Sequence, residues 1–226
     1  MYTRTLALLG EEKLNKIKSS KVLIVGLGGV GGYIAESLAR AGFGCLGLCD
    51  FDIVDESNKN RQILALCCTV GKNKTAVCNE RIKDINPLCK TKVFQMKLTE
   101  ENLPKLFDEK WDYIADAIDD TPAKLALIEY AIKNNIKIIS SCGTGNKLDP
   151  FRFKITDISK TNTDPLAKTI RIKLREKGIE KGLKVLFSDE EAVKPGEKPI
   201  PTISYMPAIA GLEISSEIIR DITNGV

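Results

Sequence analysis

Three observations predict a doubly wound, mostly parallel α/β fold for this chain of 226 residues. Short apolar runs recur between stretches whose apolar residues follow helical spacing, the pattern of strands alternating with helices. The first run, KVLIV at 21–25, passes straight into the glycine-rich turn GLGGVGG, which opens a helical stretch. After Gly143 the pattern changes, so the prediction is a Rossmann-like sheet with a C-terminal α+β extension.

Taken in order, residues 30–41 carry Ile34, Leu38 and Ala41 at helical spacing, and CLGLCD is a second strand ending at Asp50. Asn73 to Ile85 is a helix stopped by Pro87, with Ala76, Val77 and Ile82 for its buried face. KTKVFQM, DYIADAI and KIISS are three more strands, separated by helices at Glu100 to Phe107 and Pro122 to Asn134. FRFKITDI is a strand, and Thr163 to Lys177 a helix with Pro165 in its first turn and Gly178 just past its end. Leu166, Ile170 and Leu174 share one side of that helix, and Lys168, Arg171 and Arg175 form a basic stripe on another. Val185 to Phe187 and Thr202 to Met206 are further strands joined by a link containing Pro195, Pro199 and Pro201, and Ile209 to Ile222 closes the chain as an amphipathic helix.

Composition narrows the chemistry. With 43% hydrophobic residues the chain can bury a full core. No apolar run reaches the roughly 18 residues of a membrane span, and Met1 to Ser20 is charged where a signal peptide is apolar, so the expected location is the cytoplasm, with no membrane partner. Seven cysteines without any C-x-x-C exclude a zinc ribbon or thioredoxin motif; reduced and mostly buried thiols are expected, with a redox or sulfur site at the adjacent Cys67 and Cys68 as the alternative. The chain has no histidine, which excludes Ser-His and Cys-His nucleophilic mechanisms. Net charge is only +4, yet from Pro150 to Lys184 ten basic residues face four acidic ones, a local excess of six.

The glycine turn poses a choice of nucleotide. Gly26, Gly28 and Gly31 satisfy G-x-G-x-x-G with Asp50 about 20 residues beyond, which by itself suits a nicotinamide dinucleotide. The following segment points elsewhere. DESNKNRQ (55–62) and TVGKNK (69–74) bring Arg61 and Lys74 toward the same strand ends, where two cations suit a triphosphate. Asp119, with Asp120 beside it, is then a magnesium candidate, since Mg²⁺ is commonly held by one or two carboxylates plus substrate phosphates. The alternative for Arg61 and Lys74 is solvation, or pairing with Asp52 and Asp55.

GLGGVGG, DFDIVDESNKNRQ, TVGKNK and AIDD, in that order, resemble the adenylating domain of the ubiquitin-activating-enzyme superfamily, which includes the molybdopterin and thiamine adenylyltransferases. The resemblance implies ATP and magnesium as cofactors. By it, Gly28, Gly29 and Gly31 hold phosphates and Asp50 the ribose; Ser57, Asn58 and Arg61 contact the nucleotide, Lys74 the phosphates, and Asp119 with Asp120 the magnesium side. It also implies a homodimer in which Arg4, of YTRTLALLG, reaches the partner's ATP. RTLALLG, GTGNKLDPFRFKITDISKT, DPLAKTIRIKLREKGI and KVLFSDE further resemble the tRNA threonylcarbamoyladenosine dehydratase branch, over nearly the whole chain. That implies one adenylating domain over 1–226, with a nucleotide-binding core at 1–143 and a substrate and dimer extension at 144–226. The implied activity is ATP-dependent cyclisation of the modified adenosine in tRNA, with Arg4, Arg61, Lys74 and Asp119 as the catalytic set. The basic segment suggests that Arg152, Lys154, Lys168, Arg171 and Arg175 seat tRNA phosphates. Activation of the C-terminal glycine of a ubiquitin-like sulfur carrier is the alternative. A sulfur-pathway protein partner stays open, although Val185 or Leu186 stands where some relatives carry a cysteine, so no sulfur-transfer role is carried over.

Overall fold

The computed structural model describes residues 2–194, 196 and 198–224. Helix α1 (Thr3–Ser19) precedes strand β1 (Lys21–Val25), α2 (Gly31–Ala41), β2 (Cys45–Asp50), α3 (Lys74–Ile85), β3 (Lys90–Gln95) and β4 (Tyr113–Asp116). Then come α4 (Thr121–Lys133), β5 (Lys137–Ser141), β6 (Phe153–Asp157), α5 (Pro165–Glu176), β7 (Lys184–Ser188) and α6 (Tyr205–Ile222). The strands form one sheet in the order β3-β2-β1-β4-β5-β7-β6. Every neighbouring pair is parallel except β6 with β7, where Phe153 faces Ser188 and Asp157 faces Lys184.

Because successive side chains on a strand point to opposite faces, β1 divides its residues between two cores. Val22 and Ile24 join Ile34 and Leu38 of α2, Val77 and Ile82 of α3, and Ile214 and Ile218 of α6. Leu23 and Val25 join Leu127 and Ile128 of α4 with Ile170 and Leu174 of α5. A sheet covered on both faces needs continuous apolar strands, which is why KVLIV and CLGLCD carry almost no polar residue. Strand order reverses between β1 and β4. The ends of these two strands therefore part and leave a crevice at their carboxyl edge.

Three expectations need correction, and one helix was not anticipated. The stretch 3–19 is helical although its apolar pattern is weak, with Leu14 and Ile17 buried and a break at Gly10, whose φ is +79°. Ala76 is exposed, and α3 buries Lys74, Thr75, Val77, Cys78 and Ile82 instead. Residues 100–107 form only a short 3₁₀ helix, Leu103–Phe107, with Pro104 near its start. Thr202–Met206 is no strand: β6 already occupies that edge of the sheet, and α6 begins at Tyr205 with Pro207 in its first turn, where its missing N–H costs nothing. Of the proline-rich link, Pro195 lies outside the described residues.

Candidate active site

The crevice measures about 850 Å³. Its near wall is the glycine turn. Gly26 has φ +88°, and a Cβ there would lie 2.6 Å from the Ala117 carbonyl oxygen; a Cβ on Gly31 would lie 1.7 Å from the Gly26 carbonyl oxygen. Those two glycines are required by the protein's own packing. Gly28 differs, because the nearest atom to a Cβ built there is Gln62 Nε2, at 3.9 Å. Open space beside Gly28 is room for a ligand's close approach. No protein acceptor among the described residues takes the N–H groups of Gly28, Gly29 and Val30, and α2 starts directly behind them. Free amides at a helix N-terminus make an anion site.

Asp50, buried at the end of β2, stiffens this wall. Its Oδ2 accepts from Leu27 N–H at 2.6 Å and its Oδ1 from Asp52 N–H at 2.8 Å, so the carboxylate ties the glycine turn to the strand end. Asn58, Arg61 and Lys74 also line the crevice. Asn58 closes a capping box with Asp55 at the start of a 3₁₀ turn, Glu56–Asn58. Arg61 donates from Nη1 to Ser57 O at 3.0 Å and Asn60 Oδ1 at 2.8 Å. Lys74, itself buried, donates to Asp52 Oδ2 at 2.8 Å, so of the two pairings weighed for this cation the Asp52 one is formed. Ser57 gives its hydroxyl to Asp55 Oδ1 at 2.6 Å and does not line the crevice.

The opposite wall follows β4. Asp119 is exposed to the crevice, and its carboxylate has no partner among the described residues; Asp120 is committed to capping α4 through Ala123 N–H at 3.0 Å. No group of three metal-binding side chains exists among the described residues. Asp119 is thus a single carboxylate beside an anion site, which fits a magnesium ion completed by phosphates and water. Beneath it lies a network that sequence reading missed. Asp116 and Lys124, both 0% exposed, pair at 2.7 Å, and Ser140 Oγ donates to the same Asp116 oxygen at 2.6 Å. Lys124 also donates to Ser141 O at 3.0 Å, and Asp116 Oδ1 accepts from Ile118 N–H at 3.1 Å. A fully desolvated ion pair adds little net stability but punishes loss of either partner, so it pins the ends of β4, β5 and α4 below Asp119.

A family model described as the ThiF family matches residues 2–225. The chain belongs to the ThiF family. Among relatives, it is 40% identical to the tRNA threonylcarbamoyladenosine dehydratase of Bacillus subtilis, covering 100% of this chain and 95% of the relative. With the Escherichia coli protein of the same name the identity is 39%, over 84% of this chain and 74% of the relative. In three dimensions the chain is similar to the Escherichia coli tRNA N6-threonylcarbamoyladenosine dehydratase solved in complex with ATP: TM-score 0.93, 35% identity, 99% of this chain and 93% of that one.

In this ThiF-family fold the crevice extends past the glycine-turn wall into the segment after β5. Lys147, Asp164 and Glu190 line that half, and none was singled out from sequence. Lys147 donates to Ser188 O at 2.9 Å and Glu190 O at 3.2 Å, 3.8 Å from Asp164 Oδ2. Burial pushes its ammonium below the ordinary lysine range, against the opposing pull of Asp164 and Glu190. Glu190 accepts from the N–H groups of Leu148 and Asp149 at 3.0 Å each. Lys147 and Glu190 thus bind two distant loops into one wall, a meeting that no local spacing announces.

The remaining predicted residues lie outside the crevice. Arg4 is exposed on the first turn of α1 and does not line its own chain's crevice. Lys154 and Arg152 share the half-buried Asp189, Arg152 Nε reaching it at 2.8 Å, and these hydrogen bonds lower its carboxyl pKa to about 2. Arg171 donates to Thr161 O at 2.8 Å, bracing the loop before α5. Lys168 and Arg175 are exposed, with no partner among the described residues. Of the thiols, five are buried, as expected for most of them, while Cys67 and Cys68 are exposed. Burial pushes Cys49, on the crevice wall, up to about 12, so it is inert as a nucleophile at neutral pH.

Proposed function

We propose that this chain dehydrates threonylcarbamoyladenosine in tRNA at the expense of ATP, through a carboxyl-adenylate, releasing AMP and pyrophosphate. The observation that carries the reading is the end-to-end likeness to the Bacillus subtilis dehydratase, joined to a crevice whose amides, cations and free carboxylate suit a magnesium nucleotide.

The chain contains no histidine, and the reaction needs none for its first step. A threonyl carboxylate is ionised at neutral pH and attacks the α-phosphorus without a base to activate it. The protein's task is positioning and charge stabilisation. Amides of Gly28, Gly29 and Val30, the Arg61 guanidinium and Lys74 offset the negative charge that builds on the phosphates. Gly31 shapes the turn, Asn58 and Asp50 border the nucleotide, and Ser57 supports the 3₁₀ turn below them. Asp119, with Asp120 behind it, would hold a magnesium ion, which would supply neutralisation of phosphate charge. The adenylated carbonyl is then attacked from within the same nucleoside side chain, so AMP leaves as a ring closes. High effective molarity stands in for an enzymic nucleophile at that step.

In this reading residues 1–143 form the nucleotide-binding core and 144–226 the substrate and dimer extension, the whole chain being one adenylating domain. Arg4, which is free of its own crevice, reaches the ATP of a second copy in a homodimer. Lys168 and Arg175 supply the free charge for tRNA phosphates, while Arg152, Lys154 and Arg171 shape the same edge. No helix is long and apolar enough to cross a membrane, and a cytoplasmic setting suits a tRNA substrate.

The deciding experiment incubates the protein with Mg-ATP and tRNA bearing threonylcarbamoyladenosine, then weighs the digested nucleosides. Loss of one water with AMP release, abolished in Lys74→Ala and Asp119→Ala, is the expected result. ATP turnover without that mass change moves the substrate to another carboxylate, including the C-terminus of a sulfur-carrier protein.

A further inference from the structure

Gln62 holds the one buried side-chain polar atom, Oε1, that lacks a hydrogen-bond partner among the described residues. No acceptor takes its Nε2 there either. The residue is 8% exposed, lines the crevice, and places Nε2 3.9 Å from where a Cβ on Gly28 would sit. Its backbone is fixed by a turn: Gln62 N–H donates to Asn58 O at 2.9 Å, and Ala65 N–H donates to Gln62 O at 3.0 Å. A rigid backbone therefore delivers an unpaired amide to the open position of the glycine loop. Native interiors pair such groups, because an unmade hydrogen bond destabilises the fold that buries it.

We propose that Gln62 is a phosphate ligand of the nucleotide, its amide N–H donating to an oxygen seated over Gly28. This rests on the nucleotide reading of the crevice and adds a residue to it. The groups around that position are free amides, the Arg61 guanidinium and the Lys74 ammonium, so the occupant they select is an anion. Neither end of the amide has a protein partner, so it turns to present N–H without breaking any bond. In this respect Gln62 differs from Arg61 and Lys74, which already donate to Ser57 and Asn60, and to Asp52. Its contact with phosphate displaces nothing.

Two substitutions separate a ligand from a structural residue. Gln62→Met keeps the length of the side chain and removes both polar ends; Gln62→Glu sets a carboxylate against the phosphates. Binding of ATP and of inorganic tripolyphosphate is measured by calorimetry, and melting is followed without ligand. The Met variant is expected to melt at or above the wild-type temperature while binding both probes about 10-fold more weakly. The Glu variant loses at least as much affinity, and part of that loss is screened by salt. Wild-type affinity in the Met variant overturns the proposal, and so does a melting temperature well below wild type, which marks the amide as a structural partner. Wild-type protein that binds tripolyphosphate but not ATP overturns the nucleotide reading alone, with Gln62 kept as a phosphate ligand if the Met variant weakens that probe. Wild-type protein that binds neither overturns both.

Discussion

Two glycines three residues apart, Gly28 and Gly31, show how the same residue type serves different ends at the scale of one side chain. At Gly31 the protein itself excludes a Cβ, which would overlap the Gly26 carbonyl; at Gly28 a Cβ would meet only Gln62 Nε2, at 3.9 Å, and the space is open to a ligand. Gly31→Ala is therefore expected to lower the melting temperature by several degrees and to weaken ATP binding with it. Gly28→Ala melts like wild type and weakens ATP binding alone. Paired melting curves and nucleotide titrations check this, and equal melting losses in both variants contradict it. Both glycines were legible in G-x-G-x-x-G, but the motif alone does not separate their duties. That distinction needed the Gly26 carbonyl in place.

Among the elements, α6 has the most to fasten, because it packs across the sheet from the region of the glycine turn to the far strand ends. Its outer end is held by a cluster on strands β4 and β7: Tyr113 O–H donates to Asp221 Oδ2 at 2.7 Å, and Lys184 Nζ donates to Asp221 Oδ2 at 2.6 Å and Glu217 Oε1 at 2.7 Å. Burial works to raise the Asp221 carboxyl, but Lys184 and Tyr113 outweigh it and hold it below its ordinary value. For Lys184 burial works downward, and Asp221 with Glu217 outweighs it, so the ammonium sits above its ordinary value. A depressed carboxyl stabilises above its unfolded value and loses that stabilisation as pH falls through the folded one. A raised ammonium stabilises below its unfolded value and loses it as pH rises. The cluster therefore supports the fold between about pH 4 and about pH 10.5. Asp221→Asn is expected to melt below wild type at pH 7, with the gap narrowing as pH drops below about 4; an undiminished gap at pH 3 argues for a packing effect. Sequence spacing found the body of α6 but missed its first turn at 205. It also missed α1, which has too few buried residues to imprint a clear period.

Over the whole molecule, charge separates from chemistry. The crevice carries its own cations, while of the ten basic residues that give segment 150–184 its excess, four lie on α5 and one on the edge strand β6. Only part of that excess is available, since Arg152 and Lys154 share Asp189 and Arg171 is spent on Thr161. Lys168→Glu with Arg175→Glu, the two free positions of the stripe, is expected to raise the Michaelis constant for tRNA and to flatten its dependence on salt, leaving that for ATP unchanged. Steady-state assays at two salt concentrations check it, and an unchanged salt slope removes these residues from the tRNA surface.

The amino-acid sequence by itself determined the class of fold and several residues of the crevice wall, because both rest on local patterns: apolar runs that fill a sheet covered on two faces, and glycines, Arg61, Lys74 and Asp119 in the loops and helix starts that follow the first, second and fourth strands, with Asp50 closing the second. Only the tertiary structure decided which polar groups are spent and which are free. Asp52 meets Lys74 across 22 residues, Lys124 meets Ser140 across 16, and Lys147 meets Ser188 across 41. Gln62 is left unpaired because nothing among the described residues reaches it. Pairing over such separations depends on how strands and loops come together in space, and sequence periodicity records only neighbours along the chain.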